Sequence, residues 1–178
     1  MTVILYIVFQ EEVGGIDVKR INILYISLTG NTRDFIRRLE AYYRPKNIAV
    51  HSWNVKEIVT NKQAFQKITE PFVTFLPAFL EGGNGTDNGY QEILTTPLKE
   101  YLTFEKNYEN CYGIIGSGNR NFNKQFALTA HQYAEHFGFP YLDEYELKGT
   151  TKDVQRIGEK LLICQSLAEL KKEREGSL

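Results

Sequence analysis

Three hydroxyls, a glycine and an asparagine crowd into Ser27-Leu28-Thr29-Gly30-Asn31-Thr32, directly after the apolar run Ile21–Ile26. Those residue types suit one task. Where a buried strand gives way to a helix, the first N–H groups of the helix lack partners and carry the positive end of its dipole. An anion, phosphate above all, binds well at such a place. The donors here are the backbone N–H groups from Thr29 to Thr32 and the hydroxyls of Ser27, Thr29 and Thr32. Arg33 comes only after the turn, so any phosphate is held by neutral donors and not by the Gly-Lys-Ser/Thr cradle of nucleotide hydrolases. The same residues also make an ordinary helix cap, and taken alone the turn fits either role.

Two other stretches carry comparable chemistry. From Pro77 the chain runs through Phe79-Leu80-Glu81-Gly82-Gly83-Asn84-Gly85, where Gly82, Gly83 and Gly85 allow positive φ and close approach of backbone to a flat ligand. A plain surface loop is the competing reading, but its length between well-defined elements favours function. The third stretch is Ser117-Gly118-Asn119-Arg120-Asn121-Phe122-Asn123. Its amides and turn N–H groups match a pyrimidine edge, and Phe122 can cover a ring. Arg120 reads as a rim charge for a partner or, more commonly for one arginine, as solvated. Gly116-x-Gly118 lacks the third glycine of a dinucleotide fingerprint and follows the fourth strand, so it is set aside.

Other chemistry is not supported. His51, His131 and His136 have no ligand-like spacing, no Ser-His-Asp set or paired catalytic acids suggest themselves, and Ser-Leu-Thr stands where a response regulator needs acids. No catalytic side chain and no metal ligand is therefore assigned. A formal net charge of −1 gives no general pull toward nucleic acid or anionic membrane. Cys111 and Cys164 form no Cys-x-x-Cys pair and read as buried free thiols. The apolar Thr2–Phe9 is too short to span a bilayer and lacks a preceding basic region, so the expected location is cytoplasmic.

The elements that must position these loops follow from hydrophobic spacing. With 178 residues the chain is expected to form one domain, residues 21–170, preceded by an extension (1–20; an extra strand, a pairing segment or a leader) and followed by a charged, fraying tail (171–178). Strands are expected at Ile21–Ile26, Ile48–Trp53, Phe72–Leu76, Cys111–Gly116 and Tyr141–Leu147. Helices are expected at Asn31–Arg44, at Lys56–Ile68 with weak periodicity, and up to about Leu102 with Pro97 as kink or restart. A further helix carries Phe126, Ala130, Tyr133 and Phe137 and ends at Gly138. A final one, opened by a Thr150-x-x-Asp153 capping box, turns Val154, Ile157, Leu161, Cys164 and Ala168 inward. Alternation of this kind implies an α/β fold: a doubly wound five-stranded parallel sheet, order 2-1-3-4-5, with helices on both faces. Ligands then bind outside the carboxyl ends, between strands 1 and 3, where all three loops converge.

On these residues a resemblance can be stated. Ser27–Thr32 resembles the FMN phosphate loop of flavodoxins. Gly82-Gly83-Asn84-Gly85 with Gly116–Asn123 and Tyr145-Glu146-Leu147-Lys148-Gly149-Thr150 is similar to the NrdI family, flavodoxin-like partners of class Ib ribonucleotide reductase, over roughly residues 20–165. The resemblance implies a flavodoxin-like fold and a bound FMN that passes through reduced states and reacts with dioxygen. Superoxide so formed oxidises the dimanganese centre of the reductase small subunit, and an unidentified donor supplies the electrons. It also implies that Ser27, Thr29, Gly30, Asn31 and Thr32 hold phosphate. Pro77, Phe79, Gly82, Gly83, Asn84 and Gly85 would border the isoalloxazine, where a glycine peptide can turn a carbonyl toward N5. Ser117, Gly118, Asn119, Asn121, Phe122 and Asn123 would hold the far edge. The chemistry would belong to the cofactor. Two features depart from the family pattern: the N-terminal extension, and a longer loop after the third strand whose Glu81 and Asp87 disfavour an anionic reduced flavin. A one-electron carrier of flavodoxin type and a flavin-free regulatory module are the alternatives.

Overall fold

The computed structural model describes residues 17–79 and 94–176, with the side chains of 122 and 123 excepted. Five parallel strands form one sheet in the order β2-β1-β3-β4-β5: β1 (Arg20–Tyr25), β2 (Ala49–Asn54), β3 (Phe72–Pro77), β4 (Cys111–Gly118) and β5 (Tyr141–Glu146). The central strands β1, β3 and β4 are almost wholly buried, whereas β2 and β5 at the edges are partly exposed. That burial accounts for the continuous apolar runs, since a parallel sheet is covered on both faces.

Alternate residues of each strand serve opposite faces. On one side Ile21, Ile23, Tyr25, Val73, Phe75, Ile115 and Tyr145 pack against Phe35 and Leu39 of α1 (Asn31–Tyr43) and against Val154, Ile157 and Leu161 of α5 (Thr151–Gly176). On the other, Leu24, Phe72, Leu76 and Ile114 meet α2 (Val55–Thr60), α3 (Thr96–Thr103) and α4 (Leu128–Phe137) through Val55, Leu98, Tyr101, Ala130 and Tyr133. The capping box at the start of α5 forms reciprocally: Thr150 donates its N–H to Asp153 at 2.7 Å, and Asp153 returns its own to Thr150 Oγ1 at 3.2 Å.

Several expected boundaries move. The helix expected over Lys56–Ile68 stops at Thr60, because Lys62 turns left-handed (φ 54°) and the chain beyond is held by side chains instead. Asn107 accepts the Ile68 N–H at 2.7 Å and donates to Gln66 O at 3.0 Å, while Phe65 packs on Tyr101. Pro97 falls in the first turn of α3, the position where its missing N–H costs nothing, so it marks a start and not a kink. β4 runs on to Gly118, which makes Ser117 and Gly118 strand residues. Phe126 precedes α4, since Ala127 takes φ 53°. In α5 the buried stripe passes to Leu162, Gln165 and Ser166, leaving Cys164 and Ala168 half-buried. The chain past Lys171 continues helically to Gly176, with Lys172 reaching Glu70 at 2.8 Å. Residues 1–16, including Thr2–Phe9, lie outside the described residues.

Candidate functional site

The carboxyl ends of β1, β3, β4 and β5 surround a cavity of about 300 Å3, lined by Leu28, Thr29, Asn31 and Thr32 after β1, by Pro77, Ala78 and Phe79 at β3, and by Ser117, Gly118, Asn119, Gln125 and Leu147 across it. Every one of these lining residues is uncharged. The volume falls at the lower end of what small-molecule sites occupy, with the mixture they use: apolar walls and a few convergent polar groups.

The first loop is built by local necessity. β1 delivers the chain to Ser27, whose Oγ accepts the Arg33 N–H at 3.2 Å. Gly30 takes φ 90° as the residue that caps α1, a conformation that strains any residue with a Cβ. Having no side chain, it cannot close over the first turn, and its carbonyl accepts the Asp34 N–H at 2.9 Å. Ser27 and Gly30 therefore shape the turn, while Thr29, Asn31 and Thr32 face the cavity. The nearby cations already have partners. Arg33 lies 3.6 Å from Glu57, Arg38 pairs with Asp34 and donates to the Lys148 and Gly149 carbonyls, and Lys56 donates to Leu28 O at 3.1 Å.

The second loop contributes Pro77 and Phe79, with the Ala78 N–H bonded to Ser117 O at 2.8 Å; Gly82, Gly83, Asn84 and Gly85 lie outside the described residues. In the third, Ser117, Gly118 and Asn119 line the cavity. Asn119 spends its side-chain oxygen on the Asn121 N–H at 3.0 Å, a local turn, and Asn121 itself is exposed. The side chains of Phe122 and Asn123 are not among those described. Arg120 is not simply solvated: it lies 3.5 Å from Glu144, 3.9 Å from Glu146 and over the Phe126 ring.

Sequence reasoning gave no place at the cavity to the lining residues Leu28, Ala78, Gln125 and Leu147, nor to Tyr145 beside it, although Leu147 and Tyr145 stand in the stretch quoted for the resemblance. Leu147 has φ 50° and binds Gly118 O through its N–H at 2.9 Å, which carries it over the cavity from the end of β5. The convergence of carboxyl ends, applied to the fifth strand as well, would have found it. Tyr145 lies beneath the site. Four hydroxyl-bearing residues are buried together on the α1 side of the sheet: Ser27 (6% exposed), Thr32 (2%), Ser117 (3%) and Tyr145 (2%). Tyr145 stands opposite Ser117 in the sheet register and stacks on Phe35 at 3.9 Å. Its hydroxyl is near those of Ser117 and Thr32 but makes no hydrogen bond of acceptable geometry with either. Burial pushes its pKa up to about 12, with the two neighbouring hydroxyls working the other way.

Among the described residues no cluster of His, Cys, Asp or Glu could hold a metal ion, and no helix is long and apolar enough to cross a membrane. Burial likewise pushes the Cys111 thiol up to about 12, far from the range of a reactive thiolate.

A family model described as NrdI Flavodoxin like matches residues 23–159. A putative NrdI-like protein of Streptococcus pneumoniae R6 is 44% identical over 158 residues, covering 88% of this chain and 99% of that protein. One from Streptococcus pyogenes serotype M18 is 47% identical over 140 residues, covering 78% and 90%. Among solved structures, a short-chain flavodoxin associated with a bacterial microcompartment superposes with a TM-score of 0.54 at 17% identity, covering 83% of this chain and 99% of that one. At that identity the likeness speaks for the fold.

Proposed function

This chain belongs to the NrdI flavodoxin-like family, and from that premise we propose that it is an FMN-binding redox protein serving the small, dimanganese subunit of class Ib ribonucleotide reductase. The observation that carries the proposal is the uncharged nest at the start of α1, facing a cavity between β1, β3 and β4. A phosphate dianion there meets free N–H groups and the positive end of the α1 dipole, and no lysine or arginine is among the lining residues.

The residues divide the work. Thr29, Asn31 and Thr32 hold the phosphate, and Ser27 and Gly30 set the turn that presents them. Pro77, Phe79 and Leu147 supply apolar wall, and Ser117, Gly118 and Asn119 form the facing side. A Cβ on Gly118 would stand 3.3 Å from the Ala127 nitrogen and from Phe126, so this wall has little room to give. Gly82, Gly83, Asn84 and Gly85, with Asn121, Phe122 and Asn123, complete the proposed set from sequence. Reduced FMN, when bound, supplies the electrons that convert dioxygen to superoxide. The protein orients the cofactor and governs oxygen access. The electron donor is a separate protein yet to be identified, and the setting is the cytoplasm.

The test is assembly of the small-subunit radical. FMN-loaded protein is reduced anaerobically, mixed with apo small subunit and Mn(II), and exposed to air. The expected result is a tyrosyl radical that appears only with the loaded protein and is suppressed by superoxide dismutase. A protein that cycles its flavin but yields no radical is a one-electron carrier instead. A purified protein that stays colourless and takes up no FMN has a flavin-free role.

A further inference from the structure

Tyr145 places a hydroxyl where the fold alone leaves it poorly used. Its hydroxyl is buried beside those of Ser117 and Thr32, yet it makes no hydrogen bond of good geometry. Nothing in its packing calls for a tyrosine, because the ring stacks on Phe35 and lies 6.4 Å from Phe75, both plain phenylalanines. The oxygen does have a place to act. Its neighbours Ser117 and Thr32 line the cavity, and Thr32 stands on the first turn of α1.

A hydroxyl has one hydrogen to give and lone pairs to receive. We propose that Tyr145 is a positioning donor for the anionic end of the ligand: it donates to Thr32 Oγ1, committing the Thr32 hydrogen to the phosphate. Ser117, on the other side, donates to the Tyr145 oxygen. The chain Ser117 to Tyr145 to Thr32 to anion satisfies every hydroxyl in one direction, and each bond polarises the next. The role rests on the FMN reading above and adds to it how the nest tells FMN from riboflavin.

The test compares flavins. Tyr145→Phe keeps the stacked ring and removes only the oxygen. The expected outcome is an FMN dissociation constant raised about tenfold, the upper end for one ordinary hydrogen bond, with riboflavin affinity unchanged. The flavin-free variant melts at or above the wild-type temperature. In a Thr32→Val background the same substitution changes FMN affinity less than twofold, because its route is already cut. A purely structural tyrosine predicts the reverse: a lower melting temperature and equal loss for both flavins. That result, unchanged FMN affinity, or independent losses in the double variant overturns the proposal and leaves the FMN reading standing. Wild-type protein that binds neither flavin overturns both.

Discussion

At the scale of single residues the site is defined by what it lacks. No charged side chain lines the cavity among the described residues, and Arg33, Arg38 and Lys56 are engaged with Glu57, with Asp34 and the β5–α5 turn, and with the Leu28 carbonyl of the loop itself. Under the proposed function, affinity for phosphate comes from N–H groups, hydroxyls and a helix terminus, and a new carboxylate among them would oppose the anion directly. Thr29→Asp should raise the FMN dissociation constant at least about a hundredfold, since a carboxylate would face the dianion in a low-dielectric pocket. Riboflavin, which has no phosphate, should be affected far less. Equilibrium titration with both flavins checks this, and near-normal FMN affinity would remove Thr29 from the phosphate site. The turn Ser27–Thr32 between β1 and α1 was legible in sequence because a strand end followed by hydroxyls and a glycine is a local pattern. Tyr145 was not, because its importance comes from a pairing across β4 and β5 with Ser117 and from a contact with α1 far away in sequence.

At the scale of elements, the turn between β5 and α5 holds the Phe35–Tyr145 stack in place. Gly149 has φ 67°, and a Cβ there would come within 2.7 Å of Phe35 and 3.2 Å of Tyr145. Gly149→Ala should destabilise the protein by about 2–4 kcal/mol, from left-handed strain and overpacking together. Urea denaturation measures it, and an unchanged midpoint would mean the turn is not packed as described. β5 is also tied to α5 through Asp143, whose side chain is 11% exposed and meets Lys160 at 2.6 Å and Arg156 at 3.1 Å. Burial works to raise the Asp143 pKa, but Lys160, the Glu144 N–H and Arg156 outweigh it and hold the carboxyl below its ordinary value.

A carboxylate depressed in the folded state adds stability that is fully present above its unfolded pKa of about 3.9 and is lost as pH falls through the folded value. Asp143→Asn should therefore cost roughly 1–2 kcal/mol at neutral pH, kept modest because both partners are substantially exposed. The gap in melting temperature between wild type and variant should begin to narrow near about pH 4 and close only once the pH is below the depressed folded value. A gap that persists in acid would assign the loss to packing and not to charge. Periodicity located β1, β3, α1 and the start of α5 closely. It overran on α2, where the side chain of Asn107 takes over the hydrogen bonding that a helix would have supplied, a substitution no local pattern records.

At the scale of the whole molecule, order 2-1-3-4-5 was legible because alternating apolar runs and amphipathic helices leave few topologies for a chain this size. That order alone brings Thr29, Pro77 and Ser117 to one cavity although they are far apart in the chain. The cavity is proposed to grip a phosphate dianion with neutral donors at the α1 terminus. The 31P NMR spectrum of the protein with one equivalent of FMN, followed from pH 5 to pH 8, tests it most directly. A free phosphate monoester loses its second proton near about pH 6. The expected result is one displaced resonance whose position hardly moves over that range, because the site favours the dianion. A resonance that titrates as free FMN does would contradict the account.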